Sequence, residues 1–139
     1  MQKIELIEIP HPRADLDLAR QSAELILEIG NYKESRDVDM ILEAMAARTT
    51  VAAVDGYDQV VGTAGVRCLR PGVGMLEDVV SDPNKRGEGI GRKVVEAAET
   101  TALSKGILEL ELASSFTAIP FYEHLGYQRL GERLFRKFL

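Results

Sequence analysis

The sequence is poor in cysteine and in long apolar runs, and each shortage excludes a class of protein. Cys68 is the only cysteine among the 139 residues, which excludes an internal disulfide framework and a cysteine-based zinc site. No apolar run approaches the length of a membrane-spanning helix. The N-terminus also lacks a basic region followed by an apolar segment, so no secretory signal is expected.

Positive charge is also in short supply. The formal net charge is −5, whereas proteins that bind duplex nucleic acid are more often basic. Hydrophobic residues make up 45% of the chain, which is enough to build the core of one domain. We therefore expect a single domain over residues 1–139, located in the cytoplasm, with no metal ion and no nucleic-acid or membrane partner.

The spacing of apolar residues predicts an alternation of strands and helices. Strands are predicted over residues 4–9, 49–54, 60–69, 74–80, 108–112 and 134–139, and helices near residues 15–29, 37–46, 90–104 and 118–125. Short turns join the second, third and fourth strands, which predicts an antiparallel meander, and the following helix predicts a parallel crossover to the fifth strand. Gly62 and Gly65 indicate a bulge or close backbone packing in the third strand. The expected fold is α+β (α/β), a mixed, mostly antiparallel central sheet with helices on both faces.

A glycine-rich loop joins the predicted fourth strand to the helix that follows it. Its glycines and arginines are Gly87, Gly89 and Gly91, flanked by Arg86 and Arg92. The first turn of a helix has unpaired N–H groups and the positive end of the helix dipole, and it therefore favours an anion. Glycines let a ligand approach the backbone closely, because they have no Cβ. The loop is predicted to bind a phosphate or pyrophosphate, and a ligand-free turn is the alternative.

Three known kinds of anion loop can be compared with this one. A Walker A loop needs Lys-Ser or Lys-Thr after its last glycine, but Gly91 is followed by Arg92-Lys93. A dinucleotide fingerprint has the spacing G-x-G-x-x-G near the start of a βαβ unit, whereas this loop is G-x-G-x-G and occurs late in the chain. The loop does resemble the acyl-CoA loop Q/R-x-x-G-x-G/A of the GCN5-related N-acetyltransferase (GNAT) superfamily. Arg86, Gly89 and Gly91 stand at its three fixed places.

A second segment, residues 115–127, carries the same resemblance. It is similar to the GNAT segment A-x-x-F-Y-x-x-x-G-F/Y, with matching residues at Ala118, Phe121, Tyr122, Gly126 and Tyr127. Two features depart from the family pattern: Ser114-Ser115 replaces the frequent asparagine, and Pro120 precedes the Phe-Tyr pair. Proline is tolerated in the first turn of a helix, so the short helix is expected to begin near Thr117. With both segments in order, the chain is identified as a member of the GNAT superfamily.

The resemblance implies an acyl-CoA N-acyltransferase fold, with about six to seven strands and about four helices, in which two parallel strands splay apart to admit acetyl-CoA. Main-chain groups of Val79 and Val80 would pair with the pantetheine amides. The serine at Ser115 would donate one hydrogen bond to the cofactor. The pyrophosphate would rest on the loop, whose implied cofactor-binding residues are Arg86, Gly87, Glu88, Gly89, Ile90, Gly91 and Arg92.

Acyl transfer to an amine requires a neutral amine, a stabilised oxyanion and a proton for the leaving thiolate. The resemblance implies that Tyr122 contacts the cofactor and supplies that proton, although a core tyrosine is the alternative. Glu77 and Asp78 are the candidate bases. Strand alternation predicts that they point to opposite faces of the sheet, so only one would reach the cleft, and Glu77 is preferred. Solvated or paired carboxylates remain the alternative, and a backbone N–H near Val79 is the expected oxyanion donor.

The predicted function is acetyl-CoA-dependent transfer of an acetyl group to a primary amine of a small molecule, by direct attack in a ternary complex. An amino sugar, an amino acid or a polyamine would serve as the amine, and a faint similarity to glucosamine-phosphate acetyltransferases would bring Arg67 and Arg70 to a phosphate. A peptide acetyltransferase and a non-catalytic acyl-CoA-binding module are the alternatives, and a homodimer is left open. Cys68 is expected to be a packing residue rather than a nucleophile, His124 to lie on the surface and His11 in a loop.

Overall fold

The computed structural model describes residues 3–9, 16–30, 35–85 and 87–139. The described part contains seven strands, β1 (Glu5–Ile9), β2 (Thr49–Val54), β3 (Val60–Arg70), β4 (Val73–Ser81), β5 (Glu109–Ala113), β6 (Gln128–Arg129) and β7 (Leu134–Phe138). Its α-helices are α1 (Leu16–Ile29), α2 (Val38–Ala46), α3 (Ile90–Ser104) and α4 (Ile119–His124), and short 3-10 turns cover Pro83–Lys85 and Phe116–Ala118. None of these helices is both long enough and apolar enough to cross a membrane.

The strands form one sheet in the order β1-β2-β3-β4-β5-β7-β6. Every neighbouring pair is antiparallel except β4 and β5, which are parallel. The helix α3 makes the crossover between these two strands, as expected for a β-strand, helix, β-strand unit. The predictions of a mostly antiparallel sheet and of one parallel pair are both confirmed.

The sheet separates two apolar cores, and strand β2 contributes to both. Its Val51 and Ala53 pack in the core on the α3 side, and Ala52 and Val54 pack in the core on the side of α1 and α2. Because successive side chains of a strand point to opposite faces, a strand that is covered on both faces is apolar throughout. The prediction of helices on both faces is therefore confirmed.

Glycine at position 62 lets α3 lie close to the sheet. A Cβ on Gly62 would be 2.5 Å from Cγ2 of Ile90, the first residue of α3. This contact fixes the N-terminal end of α3 against β3, and it confirms the prediction of close backbone packing at Gly62. The start of α3 is thereby placed beside the end of β4.

Two details of the predicted strands are wrong. Leu108 lies outside β5 and is 62% exposed, and its N–H donates to the carbonyl of Gly72 in the turn before β4 rather than within the sheet. The strand β6 was not predicted, since its two polar residues carry no apolar alternation.

Candidate active site

A gap between β4 and β5 forms the main cleft of the described structure. The two strands pair only at Val73–Glu109, Gly74–Leu110 and Met75–Glu111. Beyond these pairs β4 continues to Ser81 and β5 to Ala113, and the strands diverge as expected from the sequence. The cleft has a volume of about 950 Å³, a size that suits a cofactor or a substrate.

Most of the predicted site residues line this one cleft. They are Glu77, Asp78, Val79, Val80, Gly87, Gly89, Ile90, Gly91, Arg92, Ser115 and Tyr122. Glu88 is not among the lining residues, and Arg86 lies outside the described residues. The sequence did not indicate Glu28, Ile29 and Gly30 at the end of α1, which also line the cleft, because only the fold brings α1 to β4.

The glycine-rich loop leaves the N-terminus of α3 open towards the cleft. Gly89 is the N-cap of α3 with φ of +70°, and Gly87 has φ of +86°. This left-handed conformation favours glycine, and a Cβ at either position would meet no described atom within 4 Å. Since Gly89 has no side chain to accept from the first-turn N–H groups, those groups can bind an anion.

Gly91 has a different role from the other two glycines. A Cβ on Gly91 would be 3.3 Å from the ring of Phe121. The glycine therefore allows α3 and α4 to pack closely, in addition to any role in ligand approach. This contact joins the loop to the helix that carries the candidate acid.

Positive side chains also lie at the loop. Lys85 and Arg92 line the cleft. Arg92 Nε donates to Oε1 of Glu96 at 2.7 Å, and this hydrogen bond raises the pKa of Arg92 above its ordinary value. The side chain is well exposed, so the pair leaves much of the guanidinium accessible to a ligand.

Tyr122 lies on α4 and is only 7% exposed, yet it lines the cleft. Its ring packs edge-on against Phe121, with centroids 5.0 Å apart. Burial raises the pKa of Tyr122 to about 12, so the phenol keeps its proton at neutral pH. No hydrogen-bond partner of this hydroxyl occurs in the described part of the chain. As expected, Pro120 falls in the first turn of α4.

Glu77 and Asp78 lie together, and the prediction that they point to opposite faces is wrong. Arg48 Nη1 donates to Glu77 Oε1 at 3.2 Å and to Asp78 Oδ2 at 2.6 Å. The cause is a β-bulge, because Asp78 has φ of +50° and interrupts the alternation of β4. Both carboxylates are therefore paired with Arg48, which is the alternative that the sequence left open.

The two serines before α4 differ in accessibility. Ser115 is exposed, and its Oγ lies 3.3 Å from Oγ1 of Thr117. Ser114 is buried, and its Oγ donates to the carbonyl of Ser115 at 2.7 Å. Ser115 is thus the serine whose hydroxyl can turn towards a ligand, and Ser114 holds the backbone beside it.

The remaining sequence predictions have mixed outcomes. Cys68 is exposed, so the prediction that it is a packing residue is wrong, because the buried part of β3 ends at Val66. His124 is exposed, as predicted, and His11 lies outside the described residues. Arg67 and Arg70 form ion pairs with Glu77 and Glu111, and neither arginine lines the cleft.

Comparison of the sequence with known proteins identifies one family. Residues 46–129 match the family described as the acetyltransferase (GNAT) domain. A Trypanosoma brucei brucei protein named glucosamine 6-phosphate N-acetyltransferase is 44% identical over 64 residues, which are 46% of this chain and 43% of that protein. An uncharacterized acetyltransferase of Streptococcus pyogenes is 37% identical over 86 residues, 62% of this chain and 59% of the relative. The chain therefore matches only about two to three fifths of the length of these relatives.

The structural comparison covers nearly the whole chain. A crystal structure of a GNAT acetyltransferase from Staphylococcus aureus has a TM-score of 0.81 over 99% of both chains, at 18% identity. This likeness confirms the predicted acyl-CoA N-acyltransferase fold. Because the sequence match spans well over half of the chain, the chain belongs to the GNAT acetyltransferase family, whose members use acetyl-CoA as the acetyl donor.

Proposed function

We propose that the protein is an acetyl-CoA-dependent N-acetyltransferase that transfers the acetyl group to a primary amine of a small molecule. The observation that carries the proposal is the cleft between β4 and β5. The N-terminal residues of α3, Tyr122, Glu77 and Asp78 all line this one space. Such a set contains an anion site, a proton donor and a candidate base, which are the groups that the reaction requires.

The cofactor half of the cleft suits coenzyme A. The pyrophosphate would accept hydrogen bonds from the N–H groups of residues 87–92, with Lys85 and Arg92 nearby as cations. The pantetheine amides would pair with the main chain of Val79 and Val80, which line the gap where β4 has left β5. Ser115 would add one side-chain hydrogen bond.

The reaction would proceed by direct attack in a ternary complex. The neutral amine nitrogen forms a bond with the thioester carbonyl carbon, and the C–S bond then breaks. Glu77 or Asp78 would accept the amine proton, directly or through water, and a main-chain N–H near Val79 would stabilise the oxyanion. Tyr122 would protonate the departing thiolate, since its raised pKa keeps the phenol protonated at neutral pH.

The acceptor class follows from the charge of the cleft and from one relative. Glu28, Glu77 and Asp78 line the cleft, and their negative charge would attract an ammonium group. The name of the Trypanosoma relative supports an amino sugar phosphate as the first amine to test. A phosphate would have to compete with Glu77 for Arg67, because their side chains are 3.3 Å apart in an ion pair.

The test is an amine screen that measures free thiol released from acetyl-CoA. The panel contains glucosamine 6-phosphate, glucosamine, amino acids, polyamines and short peptides, and mass spectrometry identifies the acetylated product. Turnover of a small amine supports the proposal, and turnover of peptides alone supports a peptide acetyltransferase instead. Firm cofactor binding without turnover of any amine would identify a non-catalytic acyl-CoA-binding module.

The proposal also includes a cytoplasmic location, no nucleic-acid or membrane partner, and a homodimer as the assembly state to test. These follow from the sequence composition and from the family. Sedimentation of the pure protein measures the assembly state, and fractionation of cells that produce the protein measures its location.

A further inference from the structure

Arg48 is a buried cation, and both of its carboxylate partners, Glu77 and Asp78, line the cleft. It stands immediately before β2, and its side chain is only 1% exposed. Its Nε donates to Oγ1 of Thr50, and its Nη1 donates to both Glu77 and Asp78. Among the described residues, its Nη2 has no hydrogen-bond partner.

Stability alone does not explain this arrangement. A buried ion pair loses in desolvation much of what it gains in attraction, and a buried donor without a partner adds a further cost. Apolar side chains in place of Arg48 and both carboxylates would avoid these costs, whereas the loss of Arg48 alone would leave two carboxylates without this cation. The arginine therefore has a role that depends on where it holds the two carboxylates.

The role concerns the bulge in β4. Thr63 of β3 pairs with Val80 of β4, and the next pair is Gly65 with Glu77. One residue of β3 therefore lies opposite two residues of β4, which is the extra residue of a bulge. Asp78 adopts φ of +50°, a conformation that costs free energy for a residue other than glycine. Arg48 binds its carboxylate, and Thr63 Oγ1 donates to its carbonyl at 2.8 Å.

Gly65 is the residue that gives Arg48 its space. A Cβ on Gly65 would be 2.5 Å from Nε and 2.8 Å from Cζ of Arg48. The guanidinium thus lies directly on the backbone of β3, opposite the bulge of β4. The sequence prediction of a bulge or close packing at Gly65 is explained by both features.

We propose that Arg48 is a positioning residue that fixes the β4 bulge and thereby sets the geometry of the main chain at Val79 and of the carboxylates of Glu77 and Asp78. Only the catalytic part of this inference, the effect on kcat, rests on the proposed function. Without Arg48, Asp78 returns to extended backbone, and the oxyanion donor and the base lose their alignment. A misplacement of about 1 Å in such groups lowers the rate by about 10²-fold.

The test uses two variants that disturb Arg48 by different routes. Arg48→Met removes the charge, and Gly65→Ala displaces the guanidinium while every charge stays in the chain. Both are expected to lower kcat by about 10²-fold. Acetyl-CoA affinity should fall less, because the loop of residues 87–92 is intact and only the pantetheine pairing at Val79 is disturbed. A crystal structure of each variant is expected to show Asp78 outside the left-handed region.

Arg136→Met is the matched control. Arg136 also pairs with one carboxylate, Glu109, and also has a buried nitrogen without a partner among the described residues, but it does not line the cleft. Gly56→Ala is the control for an added methyl group, since a Cβ there meets no described atom within 4 Å. Both controls are expected to keep the wild-type kcat.

The conformation of Asp78 tests the inference even if the wild-type protein has no transferase activity, so failure of the proposed function is distinguished from failure of the inference. An unchanged left-handed Asp78 in either variant overturns the role of Arg48. So does a wild-type kcat in a folded Arg48→Met protein. If Arg48→Met does not fold, Gly65→Ala decides the question by the same two measurements.

Discussion

The rings of Tyr122 and Tyr127 meet edge to face, with centroids 5.8 Å apart and an interplanar angle of 76°. Tyr127 is itself fixed, because its hydroxyl donates to Oε2 of Glu99 at 2.9 Å. Lys137 donates to the same carboxylate and to the carbonyl of Leu125 at the end of α4. Tyr122 thus rests on a tyrosine held by hydrogen bonds, while its own hydroxyl has no partner in the described structure.

Tyr122→Phe tests the proton donor. The change keeps the ring and its packing but removes the phenol proton. We expect kcat and kcat/KM to fall together by roughly 10²–10⁴-fold, because the proton is needed only in the transition state. Acetyl-CoA affinity, measured by calorimetry, should change little. A folded Tyr122→Phe protein with wild-type turnover would remove the residue from the mechanism.

Tyr127→Phe is the control for that variant, because it removes a phenol that lies behind Tyr122. The loss leaves Glu99 without one hydrogen bond in a partly buried site. We expect the free energy of unfolding to fall by about 1–3 kcal/mol, with a much smaller effect on kcat than in Tyr122→Phe. Equal losses of kcat in the two variants would indicate that both act through packing.

The pKa of Tyr122 predicts a loss of stability at alkaline pH. Burial raises this pKa from its ordinary value of 10.0 to about 12. Below pH 10.0 Tyr122 keeps its proton in both the folded and the unfolded chain, so its contribution to the free energy of unfolding is fully present. This contribution is lost as the pH rises from 10.0 to about 12, because only the unfolded chain deprotonates in that range. Over this pH range, we expect the free energy of unfolding of the wild type to fall by on the order of 2 kcal/mol more than that of Tyr122→Phe. Denaturant unfolding of both proteins on each side of the range measures the difference.

Gly89→Ala tests the anion site at the start of α3. Gly106→Ala is its matched control at the other end of the same helix, since both glycines have positive φ and open space around them. We expect similar losses of stability in the two variants, because each forces alanine into the left-handed region. Only Gly89→Ala should weaken acetyl-CoA binding, by about tenfold or more, if one charge-assisted hydrogen bond is lost. Equal affinities in the two folded variants would exclude this loop as the pyrophosphate site.

Glu77→Gln and Asp78→Asn test which carboxylate is the base. The side chain of Glu77 is 27% exposed and that of Asp78 is 9% exposed, so water reaches Glu77 more readily. We expect Glu77→Gln to lower kcat by about 10²-fold. Asp78→Asn should lower kcat less, because asparagine tolerates the left-handed region and can still accept from Arg48. The reverse order of the two kcat values would transfer the role to Asp78.

Features that depend on local sequence were predictable, and those that depend on the bulge were not. The glycine loop, the order of strands and helices, and the first-turn place of Pro120 follow from residue types at short spacing. The pairing of Glu77 with Asp78 does not, because strand alternation assumes regular pleating and the left-handed Asp78 breaks it. Arg48 gave no signal either, since it lies 29 residues before Glu77 and meets it only across β3.

The exposure of Leu108 and Cys68 shows a second limit of sequence reasoning. Leu108 was placed in a strand by its apolar alternation with Leu110 and Leu112, and Cys68 was expected to be a packing residue. Their burial depends on how far the helices cover the sheet, and that is set by the lengths of α3 and of the connections rather than by the residue itself. In the same way, the end of α1 reaches the cleft only because the sheet places α1 across β4.

The most direct test of the central claim is a calorimetric titration of acetyl-CoA into the full chain. Because the open helix terminus, the cations and the strand gap form one site, we predict saturable binding with one acetyl-CoA per chain and a rise in melting temperature at saturation. Gly89→Ala should weaken this binding, and Gly106→Ala should not. The absence of heat together with an unchanged melting curve, at acetyl-CoA concentrations that saturate other members of the family, would contradict the claim.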